Sequence, residues 1–290
     1  MPNKLMKKLF PGISWRNPIL NLVFKIIDPI DYLARVRRHL DFLPRYSIRV
    51  RSNGVYKQFG GSTFVYYGKL LAGILQEKIG VTEKSRILEI GCGCGRAAIG
   101  LASVFDRLDY TGIDIDRVSL EACLSNPILK AKGYKFGLMD VYNFEYNPQG
   151  SIRASTYTFP YSDESFDIVF LVSVFTHMLA KDVIQYIQEI SRILKIDGKC
   201  MLTTFLLDYG INFEKSELSF NFSDGISHYT SLRFPEKTVG YYQDFFNKEF
   251  NKCQMELDAL LLGEWRRSSD ISSVSGFSQD ILIFRKKSSL

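Results

Sequence analysis

The sequence predicts an α/β domain of the doubly wound kind, a mostly parallel sheet covered by helices on both faces, with a basic helical segment in front of it. Three observations carry that prediction. From Ser85 onward, short apolar runs alternate with segments whose apolar residues recur three and four apart. One run, FDIVFLVSVF at 166–175, is apolar almost without interruption, as a strand buried on both faces must be. The first run passes into a helix through a glycine-spaced turn, ILEIGCGCGR at Ile87 to Arg96.

The elements follow in order. NPILNLVFKIIDPIDYLARVRRHLDFL reads as short amphipathic helices broken at Pro29 and Pro44. A helix from about Thr63 to Ile79 ends at Gly80 as its C-cap. RILEIG is then a strand, RAAIGLASVF a helix, YTGIDI a strand, RVSLEACLSN a helix and YKFGLMD the third strand. SFDIVFLVSVF is the fourth strand, AKDVIQYIQEISRIL a helix, and KCMLTTFLL the fifth strand behind the turn IDG. Residues 208–234 form an irregular, aromatic-rich insert, and Pro235 is placed to open a helix in PEKTVGYYQDFFNKEF. CQMELDALLL and QDILIFRKK are two closing strands. The expected layout is a basic helical extension at 1–62 and one α/β domain at 63–290, with the insert on its substrate side.

Composition narrows the class. A chain of 290 residues with 46% hydrophobic and 14% aromatic content can bury a large core. Its apolar runs fall short of the ~18 to 20 residues of a spanning helix. PGISWRNP interrupts the stretch that a secretory signal would need after MPNKLMKKLF, so the expected location is cytoplasmic. Five scattered cysteines (92, 94, 123, 200, 253) fit a reduced compartment better than a disulfide framework. Residues 1–58 hold twelve Lys and Arg against three Asp, while the rest of the chain holds 25 against 28. That basic first fifth is either a solvated face or the mark of an acidic partner, such as an anionic substrate, a membrane surface touched from one side, or nucleic acid.

The turn through Gly91, Gly93 and Gly95 lets backbone approach a ligand closely and aims a helix N-terminus at it. Gly93-Cys94-Gly95-Arg96-Ala97-Ala98 also satisfies the dinucleotide pattern G-x-G-x-x-G/A, which keeps an NAD-dependent oxidoreductase open on the glycines alone. The acids favour another ligand. Glu89 stands two residues before the first glycine, where it would face a cation; Asp114 ends the second strand, where an acid accepts ribose hydroxyls; Asp140 ends the third, within reach of an adenine amino group. Three acids at successive strand ends describe a cationic, phosphate-free nucleoside. The cysteines of GCGCG have no second Cys or His pair nearby, so no metal is expected.

With these motifs in order, followed by FPYSDESFDIVFLVSVFTHML and EISRILKIDGKCMLTTF, the chain resembles the class I S-adenosylmethionine-dependent methyltransferases over about Ser85 to Leu207. The resemblance implies a Rossmann-like fold, seven strands with an antiparallel last one, and S-adenosylmethionine as cofactor, leaving S-adenosylhomocysteine. It further implies that Glu89 and the backbone of Gly91, Cys92, Gly93 and Gly95 hold the methionine end and that Asp114 holds the ribose. Ile115 would pack on the adenine, and Asp140, with Val141 beside it, would read the adenine edge. FTHML looks like a branch acting on small molecules or glycans, so the implied acceptor is a small molecule or glycan, anionic or lipid-linked, with nucleic acid disfavoured. The fourth strand lacks the Asn/Asp-Pro-Pro-aromatic signature of enzymes that methylate nucleobase amino groups, which favours a hydroxyl acceptor and O-methylation. N- or C-methylation, or a non-catalytic cofactor-binding role, are the alternatives.

His177, at the end of the fourth strand, sits where open α/β sheets place their chemistry and is the first candidate for a base; it could equally orient a substrate. His228, in the insert, is the second. Tyr66 and Tyr67 either cover the methionine end or pack, Arg96 either pairs with an anion or is solvated, and Trp265 with Arg266 and Arg267 reads as a surface loop or a rim of the mouth.

Overall fold

In the computed structural model the described residues are 18–53, 58–209, 211, 218–266 and 276–288. The basic start at 1–10, the serine-rich loop, Arg267 and the middle of the insert lie outside them.

Two helices precede the sheet, α1 (Pro18–Val36) and α2 (Tyr46–Asn53). The break expected at Pro29 is absent: α1 runs through it, while Pro44 does lie in the turn between the helices. Proline in a helix interior forfeits one backbone bond, and here a buried ionic cluster holds the helix regardless. Asp31 accepts from Arg35 Nε at 2.8 Å, Arg49 Nη2 at 2.7 Å and the Gly60 amide at 2.8 Å.

The third helix, α3 (Ser62–Ile74), continues as a wider turn to Ile79 and stops at Gly80, whose φ of 85° is the left-handed cap expected. It crosses α4 (Arg96–Ala102) backbone to backbone. A Cβ on Gly68 would lie 2.6 Å from the Arg96 carbonyl oxygen, and one on Gly100 would lie 2.0 Å from that of Gly68. Only glycine permits this contact, which seats α3 over the start of α4.

The main sheet holds β1 (Arg86–Ile90), β2 (Asp109–Asp114), β3 (Lys135–Leu138), β4 (Phe166–Leu171) and β5 (Leu194–Thr204), all parallel. Helices α5 (Arg117–Leu124), α6 (Pro127–Ala131) and α7 (Ala180–Ile193) connect them. The insert is not wholly irregular. Its β6 (Phe222–Ser223) and β7 (His228–Tyr229) join β8 (Val239–Gly240), just beyond it, in a second, three-stranded sheet. Pro235 opens only a short 3-10 turn, because the chain must return to β8 before α8 begins (Gln243–Lys252). β9 (Met255–Leu261) and β10 (Asp280–Lys286) close the main sheet.

The strand order is β3-β2-β1-β4-β5-β10-β9, with β10 antiparallel to both neighbours. This is the seven-stranded, Rossmann-like arrangement the motifs imply. Alternate residues of β1 serve opposite faces: Leu88 and Ile90 pack with the α7 side chains Val183, Ile187 and Ile190, and Ile87 packs with Leu71 of α3 and Leu101 of α4. Strand order reverses between β1 and β4, so a crevice opens beyond their carboxyl ends.

Candidate active site

The crevice is floored by the glycine turn. Gly91, Gly93 and Gly95 have φ of 76°, 52° and 83°, conformations that strain any residue with a side chain. The amides of Gly91 and Cys92 donate to the Ile113 carbonyl at 2.8 and 3.1 Å, which ties the turn to the end of β2. Asp114, buried in the next position, accepts from the Gly93 amide at 2.6 Å and the Asp116 amide at 2.8 Å. Each of its oxygens therefore keeps acceptor capacity for a ligand. Burial, only partly offset by those amides, pushes its carboxyl up to about 6.

A cleft of about 930 Å³ of free space, measured out to its mouth, lies over this floor. Gly91, Gly93, Asp114, Ile115 and Val141 of the expected cofactor residues line it, and so does His177. Three other segments complete it: Tyr142, Asn143 and Tyr146 from the loop after β3, Asp182 and Tyr186 from α7, and Glu236 from the turn before β8. Its lining holds four carboxylates and neither lysine nor arginine among the described residues.

The remaining candidates stand around the cleft. Gly95 caps α4. Cys92 is buried, and its sulfur and that of Cys123 lie against the Gly93 carbonyl at 3.8 and 3.4 Å, backing the turn. No three of His, Cys, Asp and Glu are gathered as a metal would need among the described residues. Glu89 is buried and accepts from the Tyr110 hydroxyl; burial pushes it up to about 8, against the opposing pull of that hydrogen bond and of the Arg96 charge. Tyr67 packs edge-on against Phe277 at 5.8 Å, while Tyr66 is exposed.

Two candidates lie elsewhere than expected. Asp140 is exposed and outside the lining; it accepts from the amide and hydroxyl of Ser151 and so closes the loop that returns to Ile152. The extra residues of that loop turn the acid toward its own chain. His228 sits on β7 against Tyr242, at 5.1 Å between rings, also outside the lining. Trp265 and Arg266 are buried rather than on a surface loop: Arg266 Nη2 donates to Asp280 at 2.8 Å and to the Leu206 carbonyl at 2.7 Å.

His177 is held from both sides. Its Nδ1 is 3.2 Å from the Glu236 carbonyl, and the Tyr146 ring meets its edge at 6.1 Å. A carbonyl only accepts, so in a neutral ring the Glu236 contact favours the proton on Nδ1 and the acceptor role on Nε2; the Lys237 backbone also bonds the ring. Burial lowers its pKa, which keeps the ring neutral at neutral pH. Beside it, burial raises the carboxyls of Asp182 and Glu236, each partly shielded from water. Ser173 carries a φ of 60°, unusual for a side-chain-bearing residue, and is fixed there by Thr203 at 2.8 Å and Gln279 at 2.9 Å.

The sequence motifs did not single out Asp116, Tyr146, Asp182 or Glu236. Asp116 stands in YTGIDID, one step beyond the ribose acid; the others resemble ordinary loop or first-turn acids and aromatics until the fold gathers them.

Fold and cleft define a class: an α/β protein with an acid-lined crevice floored by a glycine turn. Residues 88–202 match the family model described as a methyltransferase domain. A curated relative, "27-O-demethylrifamycin SV methyltransferase" of Amycolatopsis mediterranei (strain S699), is 34% identical over 137 residues, 47% of this chain and 43% of that one. The chain spans about half or less of the length of the curated relatives it matches. Among solved structures, the PH0226 protein of Pyrococcus horikoshii OT3 superposes with a TM-score of 0.58 at 13% identity, over 82% of this chain and 98% of that one. The 1,6-didemethyltoxoflavin-N1-methyltransferase of Burkholderia thailandensis, solved with 1,6-didemethyltoxoflavin and S-adenosylhomocysteine, does so with a TM-score of 0.51 at 14% identity, over 90% and 91%. Over residues 88–202 the chain is thus similar to a methyltransferase domain, and it shares its fold with these two solved proteins.

Proposed function

We propose that the protein transfers a methyl group from S-adenosylmethionine to a hydroxyl of a small molecule or glycan. The residues present suit that cofactor: an acid at the ribose position, backbone at the methionine position, and a lining that holds carboxylates but neither lysine nor arginine among the described residues. Asp114 would hold the ribose, Gly91 and Gly93 the methionine end, and Ile115 and Val141 the adenine faces. Glu89 would act from beneath, its charge restored by the ammonium group above it. S-adenosylmethionine supplies, when bound, a methyl group activated on a sulfonium.

The chain's own share of the reaction is positioning and proton control. Holding two reactants in line contributes up to ~7 to 11 kcal/mol to such a displacement. Tyr142, Tyr146 and Ser173 frame the space in which an acceptor would lie. The Nε2 atom of His177 takes the hydroxyl proton as the new bond forms, and the Glu236 carbonyl keeps the tautomer that makes Nε2 basic. The anchoring of His177 in the cleft, its ring held at the Glu236 carbonyl, is the observation that carries the reading.

The test is incubation of the purified chain with S-adenosylmethionine and a panel of hydroxylated natural products, sugars and lipid-linked glycans, with mass spectrometry to detect the added methyl and NMR to locate it. A methyl ether supports the proposal. A methyl on nitrogen or carbon replaces its O-methylation step, and cofactor binding without turnover on any acceptor removes catalysis.

A further inference from the structure

Helix α1 packs Phe24 inward with Leu20 and Ile27 beside it, yet leaves a second apolar face in solvent. Its charged residues Asp31 and Arg35 are buried against the protein, while Leu22, Ile26, Ile30 and Leu33 are 59% to 62% exposed. At 3.6 residues per turn those four fall within about one quadrant of the helix. A surface helix ordinarily turns that stripe to the core. Here it cannot roll over, because Asp31 is locked between Arg35 and Arg49 in a fully buried ion pair, and turning the helix would strand those charges.

We propose that this face docks on an anionic membrane surface. Charge selects the occupant. The exposed Lys25, Arg37, Arg38 and Arg45 flank the stripe and its end, with Asp41 the one exposed acid from Pro18 to Arg45. A second copy of the chain would bring the same cations together, whereas anionic headgroups neutralise them while acyl chains receive the leucines and isoleucines. From Leu22 to Val36 the stripe is about 21 Å long, at 1.5 Å per residue. This is the pattern of a helix lying in the interface plane. No helix among the described residues is long and apolar enough to cross a membrane.

Docking would also set the position of the cleft. α2 packs on α1, and its Arg51 grips Asp116 in the cleft lining through two bonds of 2.9 and 2.6 Å. The bilayer would thus hold the mouth near lipid-linked acceptors, a consequence that rests on the proposed methyl transfer; the docking itself does not.

Flotation of the full chain with phosphatidylcholine vesicles, with and without phosphatidylglycerol, tests the inference. The expected result is binding to the anionic vesicles only. The triple variant Leu22→Ser, Ile26→Ser, Leu33→Ser should bind at least tenfold more weakly. Lys25→Glu with Arg37→Glu and Arg38→Glu should lose roughly 100-fold, since each cation near such a surface contributes about fivefold. Both variants should keep the wild-type melting temperature and S-adenosylmethionine affinity, as none of these residues touches the cleft. Failure of the wild type to float with anionic vesicles overturns the proposal, as does equal flotation of the serine variant. So does a dimer that the serine variant dissolves, which would give the face to a second copy. Loss of cofactor binding in the wild type would instead strike the methyl-transfer reading.

Discussion

The two walls of the cleft are built on opposite plans. The wall proposed to hold the nucleoside, hence the nucleoside wall, is local: Gly91, Gly93, Asp114 and Ile115 come from the ends of two neighbouring strands, and backbone amides fix them to one another. The wall around His177 is an assembly. Tyr146 comes from the loop after β3, His177 from the turn after β4, Asp182 from α7 and Glu236 from the turn before β8, segments up to ninety residues apart. A wall made of strand ends is as rigid as the sheet, whereas a wall made of loops depends on distant anchors. Mutations should therefore act differently on the two.

The largest effect is expected at an anchor. Asp280 accepts from the Leu206 amide at 2.8 Å, where β5 hands over to the insert, and Arg266 is its buried counter-ion. Arg266→Ala should cost about 3 to 5 kcal/mol, because it leaves a buried carboxylate unpaired. Urea unfolding measures this, and an unchanged midpoint would show that the assembled wall does not lean on the pair.

His177→Ala comes next. Turnover should fall by ~100-fold or more with cofactor affinity intact if Nε2 takes the proton. A loss confined to KM would leave His177 a positioning residue. On the nucleoside wall, Asp114→Ala should weaken S-adenosylmethionine binding by at least ~1 kcal/mol. Calorimetry giving equal affinity would remove the ribose role.

The smallest effect is a pH dependence confined to the nucleoside wall. Asp114 holds its proton up to about 6 in the empty protein. Ribose hydroxyls donate best to its ionised form, so binding below that pH must first release the proton. Affinity should therefore rise as pH increases through about 6, and rise again toward about 8 as Glu89 releases its proton to face the ammonium group. A flat profile from pH 5 to 7 in the wild type, or an unchanged slope in Asp114→Asn, would separate Asp114 from the ligand.

The same contrast explains what could be read in advance. The glycine turn's conformation and the place of Asp114 beside it were legible because local conformation and strand position decide them. Asp140 was legible as a strand-end acid, but its side chain is taken up by Ser151 in a loop whose path no periodicity reveals. Pro29 looked like a helix end, yet the bond it forfeits is outweighed by the pairing of Asp31 with Arg49, 18 residues away. The small second sheet escaped notice because two-residue strands carry no alternation to detect.

By itself the sequence determined the doubly wound sheet, its helices, the glycine turn and the acid beside it. Hydrophobic period and backbone preference act over a few residues, and each of these features is written within such a span. Only the tertiary structure decided which face of α1 meets solvent, which histidine reaches the cleft and which carboxylates surround it. Those choices depend on ion pairs and packing between segments far apart in the chain, where burial raises the cost of a misplaced charge.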